Sequence, residues 1–292
     1  MPSTTDQQLE IPGLFALFKG DNGSGKTEAA LSFPTPYVFD HDRKMPAIAR
    51  KHYPGKKIDW DPMNNIFEVE EKVKQFKDFC PYETLITDTI TSASYGAIKT
   101  IDDVKGQNIF SMLQNISVKE KQPSASSRVT RSGQDTKKEV KTIELRGYDY
   151  YNGEDSFFKW YIDELKALWA RPGNPKHVLV LAHILSSEQS GPPGSTLKTI
   201  TRRIVTAGNK IAAYIPAQFD EVYHFAVDQG SAFDQNAVVK HFCFTQGVGD
   251  DFAKTAYNLP PAFDFTWELG KQNKGLYDLI SDKVDIGRSK TL

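Results

Sequence analysis

Residues 20–28 combine glycines, a lysine and a threonine at a spacing that suits phosphate binding. The segment reads Gly-Asp-Asn-Gly-Ser-Gly-Lys-Thr-Glu and contains the pattern G-x-x-x-x-G-K-[ST]. Its glycines allow the backbone to curl tightly, so that successive N–H groups can point at phosphate oxygens beside the positive end of a helix. An apolar run at residues 14–18 precedes the segment and good helix formers follow it. This is the strand–loop–helix context that the pattern requires.

Residues 20–27, called the phosphate loop below, are therefore predicted to bind a nucleoside triphosphate, ATP with magnesium (Mg²⁺); GTP also fits the pattern. Lys26 is expected to reach the β and γ phosphates. The hydroxyl of Thr27 is expected to ligate Mg²⁺, which prefers oxygen ligands. The predicted nucleotide-binding residues are Gly20, Asp21, Asn22, Gly23, Ser24, Gly25, Lys26, Thr27 and Glu28.

A phosphate loop of this kind works with a second carboxylate at the end of a neighbouring strand. Residues 83–88, Glu-Thr-Leu-Ile-Thr-Asp, are typical of a short buried strand that ends in Asp88. We predict that Asp88 holds Mg²⁺ together with Thr27. The alternative is that Asp88 is an ordinary helix cap.

A further pair of carboxylates follows the predicted strand at residues 37–39. In an extended chain, Asp40 and Asp42 would share one face, and open α/β sheets bind ligands at the carboxyl ends of their strands. One of the two is expected to orient the attacking water, and we favour Asp42. Asp40 could instead cap a helix or pair with Arg43, and His41 would then point away.

A third predicted strand, at residues 176–183, is continuously apolar and ends in His183. In phosphate-loop ATPases that insert a strand beside the loop strand, a polar residue here commonly senses the γ-phosphate. His183 is predicted to do so; alternatively, a neighbouring loop satisfies it. The predicted catalytic residues are Lys26, Asp42, Asp88 and His183.

Two segments look unlike core and are candidates for DNA contacts. The middle of residues 103–147, at 118–146, is polar and rich in Ser, Lys and Arg, so that 103–147 is predicted to be a flexible basic insertion, followed by tyrosines that could stack on bases. Residues 184–203 contain Gly-Pro-Pro-Gly at 191–194, which predicts an irregular loop of the DNA-binding type. The alternatives are solvated surface loops and core tyrosines. The predicted DNA-binding residues are Arg128, Arg131, Lys137, Lys138, Lys198, Arg202 and Arg203.

Taken in order, the phosphate loop, the acidic strand end, the Asp88 strand and the polar-ended strand resemble the RecA-like ATPases. The resemblance is closer to one group among these, the phage-encoded proteins with a RecA core that include Sak-type single-strand annealing proteins. The resemblance includes the Ala-His pair that ends the third predicted strand, at residues 182–183, and the sequence segment at residues 208–222. It covers roughly residues 12–100 and 155–285. It implies that Asp42 stands in place of a catalytic glutamate, and His183 in place of a glutamine that relays nucleotide state to a DNA-binding loop.

The resemblance also implies a function. It implies a magnesium-dependent ATPase that acts on single-stranded DNA in phage recombination or replication, in the host cytoplasm. It further implies a homo-oligomer, ring or filament, with ATP at subunit interfaces, into which a neighbouring subunit inserts a basic residue such as Lys254 or Lys240. A single-stranded-DNA-binding protein is a candidate partner. Two alternatives stay open, namely a ring-forming motor (helicase or packaging ATPase) and a nucleotide-gated DNA-binding module with negligible turnover.

The elements that must position these residues form an α/β fold. We expect a RecA-like core at residues 13–285, with a mostly parallel central sheet flanked by helices, between polar tails at 1–12 and 286–292. Further predictions are a helix at 155–171, two strands at 222–227 and 238–245 that form a hairpin, and a helix at 273–281. The formal net charge of −1 argues against a generic polyanion binder. No stretch approaches the ~20 apolar residues that span a bilayer, and Cys80 and Cys243 are expected to be buried thiols.

Overall fold

A computed structural model of the chain describes residues 13–103, 147–190, 198–228, 239–247, 252–266 and 274–284. These residues form an α/β fold with a nine-stranded, mostly parallel sheet flanked by helices, which confirms the predicted fold class at that level. The strands are β1 (Phe15–Gly20), β2 (Pro36–Asp40), β3 (Asp59–Pro62), β4 (Thr84–Asp88), β5 (His177–Ser190), β6 (Lys198–Ile204), β7 (Glu221–Asp228), β8 (Lys240–Phe244) and β9 (Ala262–Asp264). The helices are α1 (Lys26–Leu31), α2 (Met45–His52), α3 (Ile66–Asp78), α4 (Ile90–Asp103), α5 (Gly147–Trp169), α6 (Asn209–Ala217) and α7 (Leu276–Val284).

The order of the strands places β5 between β1, which leads into the phosphate loop, and β4, which ends in Asp88. Eight of the strands follow the order β3-β2-β4-β5-β1-β7-β8-β9, and the ninth, β6, pairs with β5 outside this row. The first six strands run parallel, whereas β8 and β9 are each antiparallel to the strand before them. The register pairs Gly20 with His183, and Asp40 with Asp88. The carboxyl ends of β1, β2 and β4 and the middle of β5 therefore meet at one edge of the sheet.

The central strands are covered on both faces, which explains their continuous apolar runs. Every residue of β1, β2 and β4 is buried. One apolar cluster lies on the face covered by α3, α4, α5 and α6, and a second lies on the face covered by α1, α2 and α7. Cys80 belongs to the first cluster and Cys243 to the second, so the prediction of buried thiols is confirmed.

Helix α3 illustrates how local sequence sets an element on the sheet. The side chain of Asn65 accepts hydrogen bonds from the backbone N–H groups of Phe67 and Glu68, which caps the first turn. Apolar residues at helical spacing then face the sheet, and these are Ile66, Val69, Val73 and Phe76.

The predicted irregular loop at residues 184–203 is wrong for the part that the structure describes. Strand β5 continues past His183 to Ser190, and β6 returns antiparallel to it, pairing Ile184 with Ile204 and Ser190 with Lys198. These two arms are called the β5–β6 hairpin below. Residues 198–204 contain four β-branched side chains that favour a strand, and the Gly-Pro-Pro-Gly run lies outside the described residues.

The other predicted elements agree more closely with the structure. Strands β7 and β8 form the predicted antiparallel pair, and α7 takes the place of the predicted helix at 273–281. Helix α5 begins at Gly147 rather than at residue 155, so that Tyr150 and Tyr151 lie on a helix. Among the described residues, no helix has the length and apolar character to cross a membrane.

Candidate functional site

The glycines of the phosphate loop stand where the backbone requires them. Gly23 and Gly25 have φ angles of 75° and 90°, in the left-handed region that favours glycine. A Cβ atom on Gly20 would overlap the backbone carbonyl oxygen of Phe225 on β7. The curled loop between β1 and α1 therefore depends on the residue type at all three positions.

The side chain of Lys26 folds back into the phosphate loop. Its Nζ donates to the backbone oxygens of Gly20 (2.9 Å) and Asp21 (2.7 Å) and lies 3.3 Å from Ser24 Oγ. Burial lowers the pKa of Lys26 to about 8, although the carboxylate of Asp88 opposes this effect. A buried ammonium held by neutral carbonyl oxygens would gain from an anionic partner. The loop thus fits a phosphate group.

Thr27 and Asp88 lie side by side, as expected for a shared cation. The hydroxyl of Thr27 donates to Asp88 Oδ2 over 3.0 Å, and Asp88 is only 2% exposed. Burial raises the pKa of Asp88 to about 7, the negative charge of Asp42 adds to this effect, and the hydrogen bond from Thr27 opposes it. A hydroxyl and a buried carboxylate are suitable oxygen ligands for Mg²⁺, whose charge would favour the ionised form of Asp88.

Side chains from two other elements contact the carboxylate of Asp42. Ser92 Oγ donates to Asp42 Oδ1, Thr89 Oγ1 lies 3.3 Å from the same oxygen, and His183 Nε2 lies 3.7 Å from Oδ2. Burial would raise the pKa of Asp42, but the proximity of His183, the hydrogen bond from Ser92 and the charge of Lys44 outweigh this effect and hold the pKa below its usual range. A carboxylate that stays ionised accepts hydrogen bonds well but is a weak base. Its chemistry suits orientation of a water molecule.

The chain is not extended from Asp40 to Asp42, which corrects the reasoning that placed the two on one face of a strand. Strand β2 ends at Asp40, and the chain then turns, with a φ angle of 57° at Arg43. The carboxylate of Asp40 accepts from the backbone N–H groups of Lys44 (3.3 Å) and Met45 (3.1 Å), and so caps α2. Of the two alternatives for Asp40, capping is confirmed; the guanidinium of Arg43 contacts Asn64 instead.

His183 joins β5 to the other elements of the site. Its backbone N–H donates to Thr91 Oγ1 over 3.1 Å, and its Nε2 approaches Asp42. Its Nδ1 is buried and has no hydrogen-bond partner within the described part of the chain. His183 is therefore placed to respond to any change at Asp42.

The remaining loop residues and the first turn of α1 surround this site. Asp21, Asn22 and Gly23 are exposed, whereas Ser24 is buried and its hydroxyl donates to Asp21 O over 2.7 Å. Glu28 Oε1 lies 3.4 Å from His52 Nε2. The carboxylate of Glu28 thus interacts with the end of α2.

The sequence analysis missed several residues that complete the site. Thr89, Thr91 and Ser92 bind Asp42 or His183, and the hydroxyl-rich run after Asp88 was a usable signal for them. His241 and Phe265 pack against Gly25, where a Cβ atom would lie 3.0 Å from His241 Nδ1 and from the Phe265 ring. No local pattern marks these two, because they reach the loop through pairing of distant strands.

The predicted DNA-binding residues are only partly described. Arg202 and Arg203 are exposed on β6, opposite Ser186 and Leu185, and Lys198 is the first residue of that strand. Arg128, Arg131, Lys137 and Lys138 lie outside the described residues. The arginines share the β5–β6 hairpin with the strand that carries His183.

The two candidate basic residues for a neighbouring site lie in different places. Lys240 is exposed and pairs with Asp228 at the carboxyl end of β7. Lys254 pairs through its backbone with Val222 near the start of that strand.

In the described ranges, no cluster of three or more His, Cys, Asp or Glu side chains suits a metal ion on its own. A magnesium ion that arrives with a nucleotide uses one or two protein groups together with phosphate oxygens, and Thr27 and Asp88 match that requirement. The sequence matches none of the protein-family models, and none of the curated proteins, with which it was compared.

Proposed function

We propose that this protein is a magnesium-dependent, RecA-like ATPase that acts on single-stranded DNA in phage recombination or replication, in the host cytoplasm. One observation carries the proposal: the ammonium of Lys26, the Thr27–Asp88 pair and the Asp42–His183 pair converge beside the phosphate loop. These groups come from the start of α1, from β4 and β5, and from the turn after β2. Their convergence matches the parts that phosphoryl transfer to water needs.

Each group has a role in this proposal. Lys26 would exchange its carbonyl partners for phosphate oxygens and stabilise the negative charge that develops on them. Thr27 and Asp88 would hold Mg²⁺, which when bound supplies further positive charge at the phosphates. Asp42 would orient the attacking water, and His183 would hold Asp42 and respond to the γ-phosphate.

Two features support the RecA-like part and the DNA substrate. Strand β5 is inserted between the loop strand and the Asp88 strand. The same strand continues into the β5–β6 hairpin, which exposes Arg202 and Arg203. Exposed guanidinium groups on this hairpin suit contacts with phosphates of a nucleic acid. The proposal includes a homo-oligomer with ATP at subunit interfaces.

A second candidate is a nucleotide-gated DNA-binding module with negligible turnover. The contacts of Asp42 favour it, because an acid that is held by Ser92 and His183 has a low pKa and little freedom to activate water. The ring-forming motor is a third candidate, and a separate assay of directional strand unwinding distinguishes it.

The test is steady-state ATP hydrolysis with and without single-stranded DNA, together with DNA binding and strand annealing, for wild type, Lys26→Ala and the control Lys57→Ala. Lys57 is 86% exposed and pairs with Asp59 away from the loop. We expect hydrolysis that DNA stimulates, that Lys26→Ala abolishes and that Lys57→Ala retains. No hydrolysis by wild type in either condition would refute the ATPase, and undiminished annealing by Lys26→Ala would favour a passive module. If DNA changes neither rate nor binding, the DNA assignment is wrong.

A further inference from the structure

Glu154 is a fully buried carboxylate that lies outside the candidate nucleotide site. It belongs to α5 and is 0% exposed. Its Oε1 accepts a hydrogen bond from Ser94 Oγ on α4. A buried carboxylate is expensive unless it is hydrogen-bonded, so its contacts identify which elements it holds together.

The same carboxylate also reaches the loop between β6 and α6. Ser94 Oγ accepts from the backbone N–H of Ala207 over 2.7 Å. A Cβ atom on Gly208, the residue before α6, would overlap Glu154 Oε2. The glycine therefore allows the loop to approach the carboxylate closely. We call Glu154, Ser94, Ala207 and Gly208 the α4–α6 joint.

One side of the α4–α6 joint is attached to the candidate nucleotide site. Ser94 lies on the first turns of α4, two residues after Ser92, which binds Asp42. The neighbouring Thr91 accepts from the backbone N–H of His183. Because these residues share one helix, a displacement of Asp42 or His183 would move Ser94 as well.

The other side of the joint is attached to the arginines of β6. Ala207 follows Ile204, the last residue of that strand, by three residues. Arg203 Nη1 lies 3.5 Å from Asn209 Oδ1 at the start of α6. The position of Ala207 and Gly208 therefore influences where the arginine side chains sit.

We propose that Glu154 is a positioning residue that couples the nucleotide state of the candidate site to the DNA affinity of Arg202 and Arg203. This inference rests on the proposed function and adds to it the route by which nucleotide acts on the DNA surface. Glu154 makes α4 and the β6–α6 loop move together, since separating them would leave buried polar groups without partners. Coupling between two sites needs such a shared element.

The experiment measures binding of a fluorescent single-stranded oligonucleotide with and without Mg²⁺ and a non-hydrolysable ATP analogue, at fixed salt. The variants are Glu154→Gln and Ser94→Ala. Glu154→Gln puts an amide nitrogen in place of one of two carboxylate oxygens, Oε1 beside Ser94 or Oε2 beside Gly208, so only one side of the joint keeps its acceptor. The matched control is Glu221→Gln, because Glu221 is 1% exposed and binds Ala256 N–H and the hydroxyl of Tyr223 near the start of β7. Affinity for the analogue and the thermal midpoint are measured for every variant.

We expect the analogue to change the DNA affinity of wild type about tenfold, within the usual range of site-to-site coupling. Glu154→Gln and Ser94→Ala should reduce that change to less than about twofold and bind the analogue within about twofold of wild type. Glu221→Gln should keep the tenfold change in DNA affinity even if it lowers the thermal midpoint as much as Glu154→Gln does. This comparison distinguishes a loss of coupling from a loss of stability.

Retention of the tenfold change by Glu154→Gln, or its equal loss in Glu221→Gln, would overturn the inference and leave the proposed function intact. Wild type that does not bind the analogue would instead refute the proposed function, and the inference with it. If Glu154→Gln does not fold, Ser94→Ala decides, and unchanged coupling in that variant refutes the role of the joint.

Discussion

Replacing Asp88 by asparagine should stabilise the nucleotide-free protein at alkaline pH. Burial raises the pKa of Asp88 from 3.8 to about 7, and the charge of Asp42 adds to this effect. One pH unit corresponds to about 1.4 kcal/mol. A pKa difference of about three therefore means that ionised Asp88 costs the fold ~4 kcal/mol of its free energy of unfolding.

The sign of the pH dependence follows from the same difference. Because the folded pKa lies above the unfolded one, the contribution of Asp88 to stability is fully present below about pH 4 and is lost as the pH rises through 7. An asparagine can still accept the hydrogen bond of Thr27 but cannot ionise. Asp88→Asn should therefore unfold with a free energy ~2–4 kcal/mol higher than wild type at pH 8, and this gain should be about 2–3 kcal/mol smaller at pH 5.

Urea unfolding at pH 5, 6, 7 and 8, without nucleotide or divalent cation, measures this gain. Asp264→Asn is the control, because hydrogen bonds from Thr266 lower the pKa of that exposed carboxylate, and its removal should give no gain at pH 8. A lower stability of Asp88→Asn than of wild type at pH 8, or a gain that is equal at pH 5, would refute the reasoning.

Three further changes test other parts of the structure. Gly20→Ala should lower the free energy of unfolding by ~2–3 kcal/mol, because its Cβ meets the backbone of β7. Urea unfolding measures this loss. Gly96→Ala is the control, because its Cβ meets no atom within 4 Å, and it should raise the free energy of unfolding by ~0.5–1 kcal/mol. Asp42→Asn should lower ATP turnover roughly 100-fold and keep nucleotide affinity within about threefold. Single-turnover hydrolysis and equilibrium nucleotide binding measure the two quantities, and a loss of affinity as large as the loss of turnover would contradict the prediction. Tyr161→Phe should cost ~1–2 kcal/mol in urea unfolding because it leaves the buried hydroxyl of Thr87 without its partner, and an unchanged midpoint would contradict it.

Local pattern predicted the central strands and the phosphate loop because the physical causes are local there. The apolar runs of β1, β2 and β4 report burial on both faces. The spacing of the glycines, Lys26 and Thr27 between residues 20 and 27 indicates a backbone that curls tightly. That the loop binds a nucleotide stays a prediction.

Other features depend on contacts between distant residues, which no short pattern records. Strand β3 reads Asp-Trp-Asp-Pro and has no apolar run, yet it pairs with β2. Strand β2 ends at Asp40 and the chain bends over residues 41–43, which extended-chain reasoning could not include. Glu154 meets Ser94 across 60 residues, so its burial was invisible in the sequence.

Strand β5 is one unbroken strand from the sheet interior to Ser190. Ser190 follows His183 by seven residue steps, a length of about 23 Å at about 3.3 Å per residue. A rotation of about 5° at His183 would therefore swing the far end of the strand by about 2 Å, more than half the length of a hydrogen bond. A small rotation of β5 at His183 would thus be amplified along the strand into a displacement at Ser190 that is comparable with the range over which hydrogen bonds form and break.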